Sequence, residues 1–370
     1  MILHLLFDDK FADYVINQFS NVGNIKSTFV LVSYGKQIKY VTLLDNVKHI
    51  DLNDGNYIKL LMDEISSHKA VIFHGLFHPW QEELINCIPN NIKKAWYFWG
   101  GEIYGREDIN NTFLAPISKH INSIHRLYTK RKNQYFLPKN CFKCIDYCLT
   151  SVEEEYELAK RYFEADFKFL WYTCYNIDET IGLSLIDKKC EGNNIWVGNS
   201  ATIENNYFDI LFKLKSLKIK GRKVILSLSY GAPWVKKYCN KLGYLLFKDK
   251  FNPLLDFLPR EEYNKRMLGC STMIQPHLRP QAHGNIITGL WLGMRVYLSE
   301  KSIEYKFFKR LGIVVFSIEK DLKVDNPNVF NLLSKEEHEL NKSILSNVYG
   351  KKNVLLAVNT ITEILNKNCK

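Results

Sequence analysis

What most constrains this chain is the regular alternation of short apolar runs with longer segments of helical spacing. In the first half, Ile2–Phe7, Thr28–Ser33, Ala70–Phe73, Lys94–Trp99, Cys144–Leu149 and Phe167–Trp171 read as strands. In the second half, Ile195–Val197, Lys223–Leu228, Tyr244–Phe247, Thr272–Ile274 and Arg295–Ser299 do the same. Phe11–Phe19, Tyr57–Ile65, Tyr207–Leu217, Pro233–Leu242 and Arg260–Leu268 lie between them with helical periodicity. Strands alternating with helices form parallel sheets covered on both faces. Residues 176–193 dissolve into polar and charged residues and predict a linker, and 334–366 predict a long helical tail. With 370 residues, 46% of them hydrophobic, the chain can fill two cores. The expected organisation is an α/β chain with two Rossmann-like domains, 1–180 and 181–335, and a helical tail, 336–370, able to pack back on the first.

In open α/β sheets ligands sit beyond the carboxyl ends of the strands. Six polar or glycine-bearing loops fall there: Asp8-Asp9, His74-Gly75, Gly100-Gly101-Glu102, Gly198-Asn199-Ser200, Ser229-Tyr230-Gly231 and Arg279 to Asn285. They predict a ligand cleft between the two domains. The last loop feeds the apolar run Ile286–Leu292, which reads as a buried helix. A helix N-terminus offers free N–H groups and the positive end of its dipole, so it suits a phosphate. Arg279 adds a guanidinium fork, and the backbone at Gly284 and Asn285 can approach the anion closely. Gln281, His283 and Asn285 either share that contact or cap the helix. Gly198, Asn199 and Ser200 either reach a diphosphate or donor sugar, or form an N-cap. Tyr230 and Gly231 are placed to pack on nucleotide or sugar, while Phe257 and Leu258 either line a base or pack as ordinary loop.

Several chemistries are excluded. There is no Walker loop, no Gly-x-Gly-x-x-Gly after the first strand and no kinase motif set. A basic nucleic-acid-binding protein is the alternative from a different class, fitting the charge and aromatics, but no RNP, KH or zinc-finger pattern occurs and nucleic acid is not an expected partner. Nine cysteines are scattered without framework spacing and read as reduced thiols of a cytosolic protein. Cys141-Phe-Lys-Cys144, with Cys148 beyond, lacks the second pair that a structural zinc needs, and no metal is expected. The N-terminus lacks a basic leader and no apolar segment has membrane-spanning length, so the expectation is a soluble protein or one resting on a membrane surface.

A net charge of +11 draws the protein to an acidic partner. Residues 109–145 carry Lys119, Arg126, Lys130, Arg131, Lys132, Lys139 and Lys143 without Asp or Glu, interleaved with Tyr128, Tyr135, Phe136 and Phe142. That pattern fits either an anionic lipid surface or a solvated basic face.

A phosphate-handling second domain opposite a first domain bearing carboxylates and histidine fits glycosyl transfer from a nucleotide sugar, the alternative being a nucleotide-sugar epimerase that hydrolyses its donor without an acceptor. Arg279 and the helix start would neutralise the diphosphate leaving group. Glu102 reads as the acceptor-side base or a sugar ligand, or as a solvated loop acid. Asp9 is the alternative base, or the cap of the helix from Phe11. His74 is a base, a diphosphate contact or a hydrogen-bonded structural histidine.

The segment Arg279 to Ser299, with Arg279, Gln281, Gly284, Gly293, Leu298 and Ser299 in register, resembles glycosyltransferase family 56. The likeness extends to His4 and Asp9, His74-Gly75-x-Phe77, Trp99 to Tyr104, Val197 to Ser200, and Tyr230. Near Trp99 the family pattern has aspartate where this chain carries Glu102. The resemblance implies the GT-B fold and a TDP-sugar donor carrying 4-acetamido-4,6-dideoxygalactose. It also implies a polyprenyl-diphosphate-linked acceptor of bacterial surface polysaccharide synthesis and no obligatory metal or other cofactor. Such an enzyme is expected on the cytoplasmic face of the bacterial inner membrane, held peripherally.

Overall fold

The computed structural model describes residues 1–20, 25–35, 37–45, 47–129 and 134–367. It divides into two compact units. The first comprises 1–106, 133–176 and 351–370; the second comprises 107–132 and 177–350. Segment 107–132, read from sequence as part of the first domain, therefore groups with the second.

The first unit is built on β1 (Ile2–Phe7), β2 (Ser27–Ser33), β3 (Val47–Asp51), β4 (Ala70–Phe73), β5 (Lys93–Tyr97), β6 (Tyr147–Thr150) and β7 (Lys168–Trp171). The order is β3-β2-β1-β4-β5-β6-β7, every pair parallel. Leu5 pairs with Val30 on one side and Phe73 on the other, and all three are buried. Near-continuous apolar strands of this kind are what a sheet covered on both faces requires. One covering layer includes the helix Lys351–Asn366, whose Val358, Ile361 and Leu365 join Ile16, Phe19 and Ile72 in the core. The Lys93 ammonium donates to the carbonyls of Ile364 and Lys367 at 2.7 and 2.8 Å, fixing the end of that helix.

The second unit repeats the scheme with β8 (Asn194–Val197), β9 (Val224–Ser227), β10 (Phe251–Leu254), β11 (Cys270–Gln275), β12 (Arg295–Leu298) and β13 (Phe316–Ser317). Their order is β10-β9-β8-β11-β12-β13, again all parallel. In each sheet the order reverses beside the first strand, so each has a switch point: between β1 and β4, and between β8 and β11. Chain leaving these strands diverges there and opens a crevice.

Four sequence expectations need correction. The apolar run Tyr244–Phe247 is not a strand but the last turn of the helix Pro233–Phe247; the strand follows at Phe251–Leu254. Lys139–Cys144 form a 3-10 helix, and the strand begins only at Tyr147. The polar stretch 176–193 contains the short helix Ile177–Ile181 and a 3-10 turn, Leu183–Leu185. The tail is two helices, Lys335–Tyr349 and Lys351–Asn366, parted at Gly350. No helix among the described residues is long and apolar enough to cross a membrane.

Candidate active site

The loops after β8, β9 and β11 meet through side chains. Asn199 is the hub: its amide donates to the Tyr230 hydroxyl at 3.3 Å, and its Oδ1 accepts from Gln281 Nε2 at 3.0 Å. Asn285 donates to the Tyr263 hydroxyl at 3.0 Å, and Tyr263 contacts Ser227 Oγ at 3.2 Å. Ser227 in turn donates to the Asn199 carbonyl at 3.1 Å. Asn199, Tyr230, Gln281 and Asn285, chosen from sequence, thus belong to one network at the switch point of the second sheet. Each such bond contributes about 0.5–1.5 kcal/mol net, but together they fix loop geometry.

Two glycines make this meeting possible. Gly198 has φ +64, and a Cβ there would lie 2.2 Å from the buried Tyr207 hydroxyl. Gly231 has φ +120 and would place a Cβ 2.5 Å from the Ala201 carbonyl oxygen. Backbone bonds from Ala201 N to Tyr230 O (2.6 Å) and from Ala232 N to Ala201 O (2.8 Å) zip the two loops together. Ser200 is buried, and Asn205 Nδ2 donates to both its carbonyl (2.8 Å) and its hydroxyl (3.2 Å).

The helix fed by the Arg279 loop is His283–Trp291, with Ala282 before it in the left-handed region at φ +58. Ile286 to Trp291 are buried, and this anchors the helix. No side chain caps it. Gln281 is engaged with Asn199, Asn285 with Tyr263, and His283 points elsewhere. The N–H groups of the first turn, Gly284 and Asn285 included, are the ones an α-helix leaves without internal partners. An uncapped start of this kind favours an anion.

Beneath the loop lies a buried cluster that the sequence did not announce. The His283 ring is held between Glu304 Oε1 (3.0 Å from Nδ1) and the Tyr349 hydroxyl (2.7 Å from Nε2), stacked on Phe308. His277 Nδ1 donates to the Arg279 carbonyl at 2.9 Å, setting the path of the loop. Burial drives Glu304 well above the usual carboxylate range, partly opposed by the nearby Arg279 charge. Burial also lowers His277 to about 3 and His283 to about 4, so both rings are neutral. Phe257 is 74% exposed in the loop after β10, with Leu258 half-buried beside it. A separate cavity of about 690 Å³ is lined by Leu278, Ser299, Lys301 and Glu319 together with Lys119 and His120.

In the first unit, Asp9 lies just past β1, at the switch point. It is half-buried; its Oδ1 accepts from Phe11 N at 2.6 Å and its carbonyl from Ala12 N at 3.3 Å. Burial raises its carboxyl above the usual range, more than these bonds lower it. Asp8 is committed to structure, accepting from the backbone N–H groups of Lys39, Tyr40 and Val41.

Glu102, read from sequence either as a carboxylate reaching into the cleft or as a solvated loop acid, is instead turned inward. It is 2% exposed, one residue into the short helix Gly101–Tyr104. Its Oε1 accepts from the Trp96 indole at 2.9 Å and from Leu76 N at 3.2 Å, tying the loop after β4 to β5. Burial pushes this carboxyl up to about 7. His74 is also buried: its Nε2 lies 3.1 Å from His4 Nδ1, and burial lowers it to about 3. Glu102 thus holds the loop after β4 through Leu76 N, while His74 sits against His4 of β1.

Arg126 lies on the helix Pro116–Tyr128, where Leu127 and Tyr128 are 83% and 84% exposed, and it pairs with Glu107 at 3.6 Å. Lys130, Arg131 and Lys132 lie outside the described residues. Cys141 is buried and Cys144 exposed, and among the described residues no three His, Cys, Asp or Glu side chains are grouped so as to hold a metal ion.

No family model and no curated protein sequence matches the chain. Solved structures do. A glycosyltransferase from Rickettsia africae shares 14% identity at a TM-score of 0.67, covering 100% of this chain and 99% of that one. A sucrose-phosphate synthase from Thermosynechococcus elongatus shares 9% at 0.63, covering 98% of each chain. Anabaena HepE, solved in complex with UDP and glucose, shares 10% at 0.60, again covering 98% of each. The fold is GT-B. Its two Rossmann-like sheets are those described above.

Proposed function

We propose that this protein is a glycosyltransferase of family 56 type. In this reading it moves a 4-acetamido-4,6-dideoxyhexose from a TDP-sugar to a polyprenyl-diphosphate-linked glycan at the cytoplasmic face of a bacterial membrane. The observation that carries the reading is the Asn199–Tyr230–Gln281 network set beside an uncapped helix start at the switch point of the second sheet. Solved relatives in fold include glycosyltransferases, one of them holding UDP and glucose.

In the reaction, an acceptor hydroxyl attacks the anomeric carbon as the bond from that carbon to the diphosphate oxygen breaks. Negative charge grows on the departing TDP. The first-turn N–H groups at Gly284 and Asn285, with Arg279, meet that charge; a helix dipole alone is worth about 0.3–1 kcal/mol to an anion. Asn199, Tyr230 and Gly231 border the sugar and diphosphate, while Phe257 and Leu258 flank the base. The hydroxyl proton passes to Asp9, a half-buried carboxylate with a raised pKa. Glu102 and His74 position the first unit's loops. No metal is obligatory in this reading, so transfer should persist in EDTA.

A thermal-shift panel of TDP, UDP, GDP and a single-stranded oligonucleotide tests the donor site. Selective stabilisation by TDP is expected. Stabilisation by UDP alone would reassign the nucleotide, and stabilisation by the oligonucleotide alone would defeat the reading.

A further inference from the structure

Positive charge in this protein is concentrated in one place. Between Ile210 and Lys250 there are eleven lysines and arginines against a single acid, Asp249, in a chain whose whole net charge is +11. Two helices of the second unit that pack together, Tyr207–Ser216 and Pro233–Phe247, carry much of it. Along the second helix and its cap, Lys237, Tyr238, Lys241, Tyr244, Leu245 and Lys248 are all exposed. Their spacing places them on one face. Leu245 is 75% exposed, and Tyr238 and Tyr244 are each 51% exposed. A stripe of cations interleaved with tyrosine and leucine, free of acid, is the composition of a helix lying in a lipid headgroup layer.

Next to the stripe is a cavity of about 410 Å³ whose lining includes Lys215, Lys218, Lys220, Lys248 and Lys250 against one acid, Asp249. Two of these are pinned: Lys215 Nζ donates to the Leu246 carbonyl at 2.9 Å, and Lys250 Nζ to the Lys220 carbonyl at 2.6 Å. Lys220 and Lys248 have φ +47 and +52, a left-handed backbone that lysine rarely adopts. The cavity sits where β9 and β10 begin, at the end of the sheet away from the donor loops. The helix bearing Arg126 packs at the other end of these two helices, on their first turns: Asp209 accepts from Ile117 N and Ser118 N at 2.8 Å, and His125 stacks on Trp234 at 4.0 Å.

We propose that this face docks the second unit on an anionic phospholipid surface, with the lysine-rimmed cavity receiving a phosphate headgroup and Tyr238, Tyr244 and Leu245 entering the headgroup layer. The inference rests on the lipid-linked-acceptor reading, and it names the surface that would hold the enzyme at the bilayer. A nucleic-acid backbone would match the lysines but leave Leu245 without a role.

The test is flotation of the full chain with phosphatidylcholine vesicles, with and without phosphatidylglycerol, alongside the TDP thermal shift. Binding only to the anionic vesicles, reversed by salt, is expected. Each lysine near such a surface contributes about a fivefold factor, so a K218Q/K237Q/K241Q variant should bind on the order of 100-fold more weakly. L245S should also bind more weakly, and both variants should keep the TDP shift. Equal binding to neutral vesicles, wild-type binding by the triple variant, or displacement of vesicles by an oligonucleotide would overturn the proposal. Loss of the TDP shift with vesicle binding intact would instead count against the donor site alone.

Discussion

Glu102 offers a sharp test of how the first unit is built. Its carboxyl rises from an ordinary 4.5 to about 7 on folding because it is buried. Between those values the folded protein holds a proton that the unfolded chain has released, so stability falls as pH rises through the window and levels off above it. At about 1.4 kcal/mol per pH unit the full penalty is about 3 kcal/mol. A glutamine at this position keeps an acceptor oxygen for Trp96 Nε1 and Leu76 N but never ionises. E102Q should therefore match the wild type near pH ~4 and exceed it by up to ~3 kcal/mol near pH ~8. E102A, which strands two buried donors, should be weaker at both by about 2–5 kcal/mol. Urea unfolding followed by tryptophan fluorescence measures all three, and turnover of E102Q is assayed beside it. Parallel pH profiles for wild type and E102Q would refute the argument. So would a collapse of turnover in E102Q at unchanged stability, which would make Glu102 the reacting group.

Other expectations concern the site directly. D9N should lose transfer by about 10²–10⁴-fold while TDP still binds, and the wild-type rate should fall with acid at a pH above the ordinary carboxylate range. Q281A releases Asn199 and should weaken TDP binding about tenfold by calorimetry. G231V forces a side chain toward the Ala201 carbonyl at an unfavourable φ; it should cost about 1–3 kcal/mol of stability and reduce nucleotide affinity together.

The strand–helix alternation was legible because buried parallel strands are written as apolar runs. It misled where another rule prevailed. Tyr244–Phe247 is apolar enough for a strand, yet it completes a helix whose inner face needs Phe247. The true strand, Phe251–Leu254, contains Pro253, which a central strand would not tolerate, but β10 is an edge strand. The loops after β8, β9 and β11 stood out because glycine and amide residues at strand ends are local signals. Glu304, His277 and Tyr349 were invisible, since their meaning comes from meeting His283 and Arg279 across distant sequence. Glu102 was found by position, but its inward turn depends on Trp96 and Leu76 and is not written beside it.

The helix Lys351–Asn366, which supplies Val358, Ile361 and Leu365 to the first unit's core, bears on how the protein is made. A ribosome releases β1 to β7 long before it releases the segment that covers them. During that interval the face awaiting Val358, Ile361 and Leu365 stays incompletely covered, and the second unit can finish folding first. The order of synthesis and the order of completion are then reversed. A nascent chain arrested before residue 351 should hold its N-terminal half in a protease-sensitive, chaperone-binding state while the later half is already resistant.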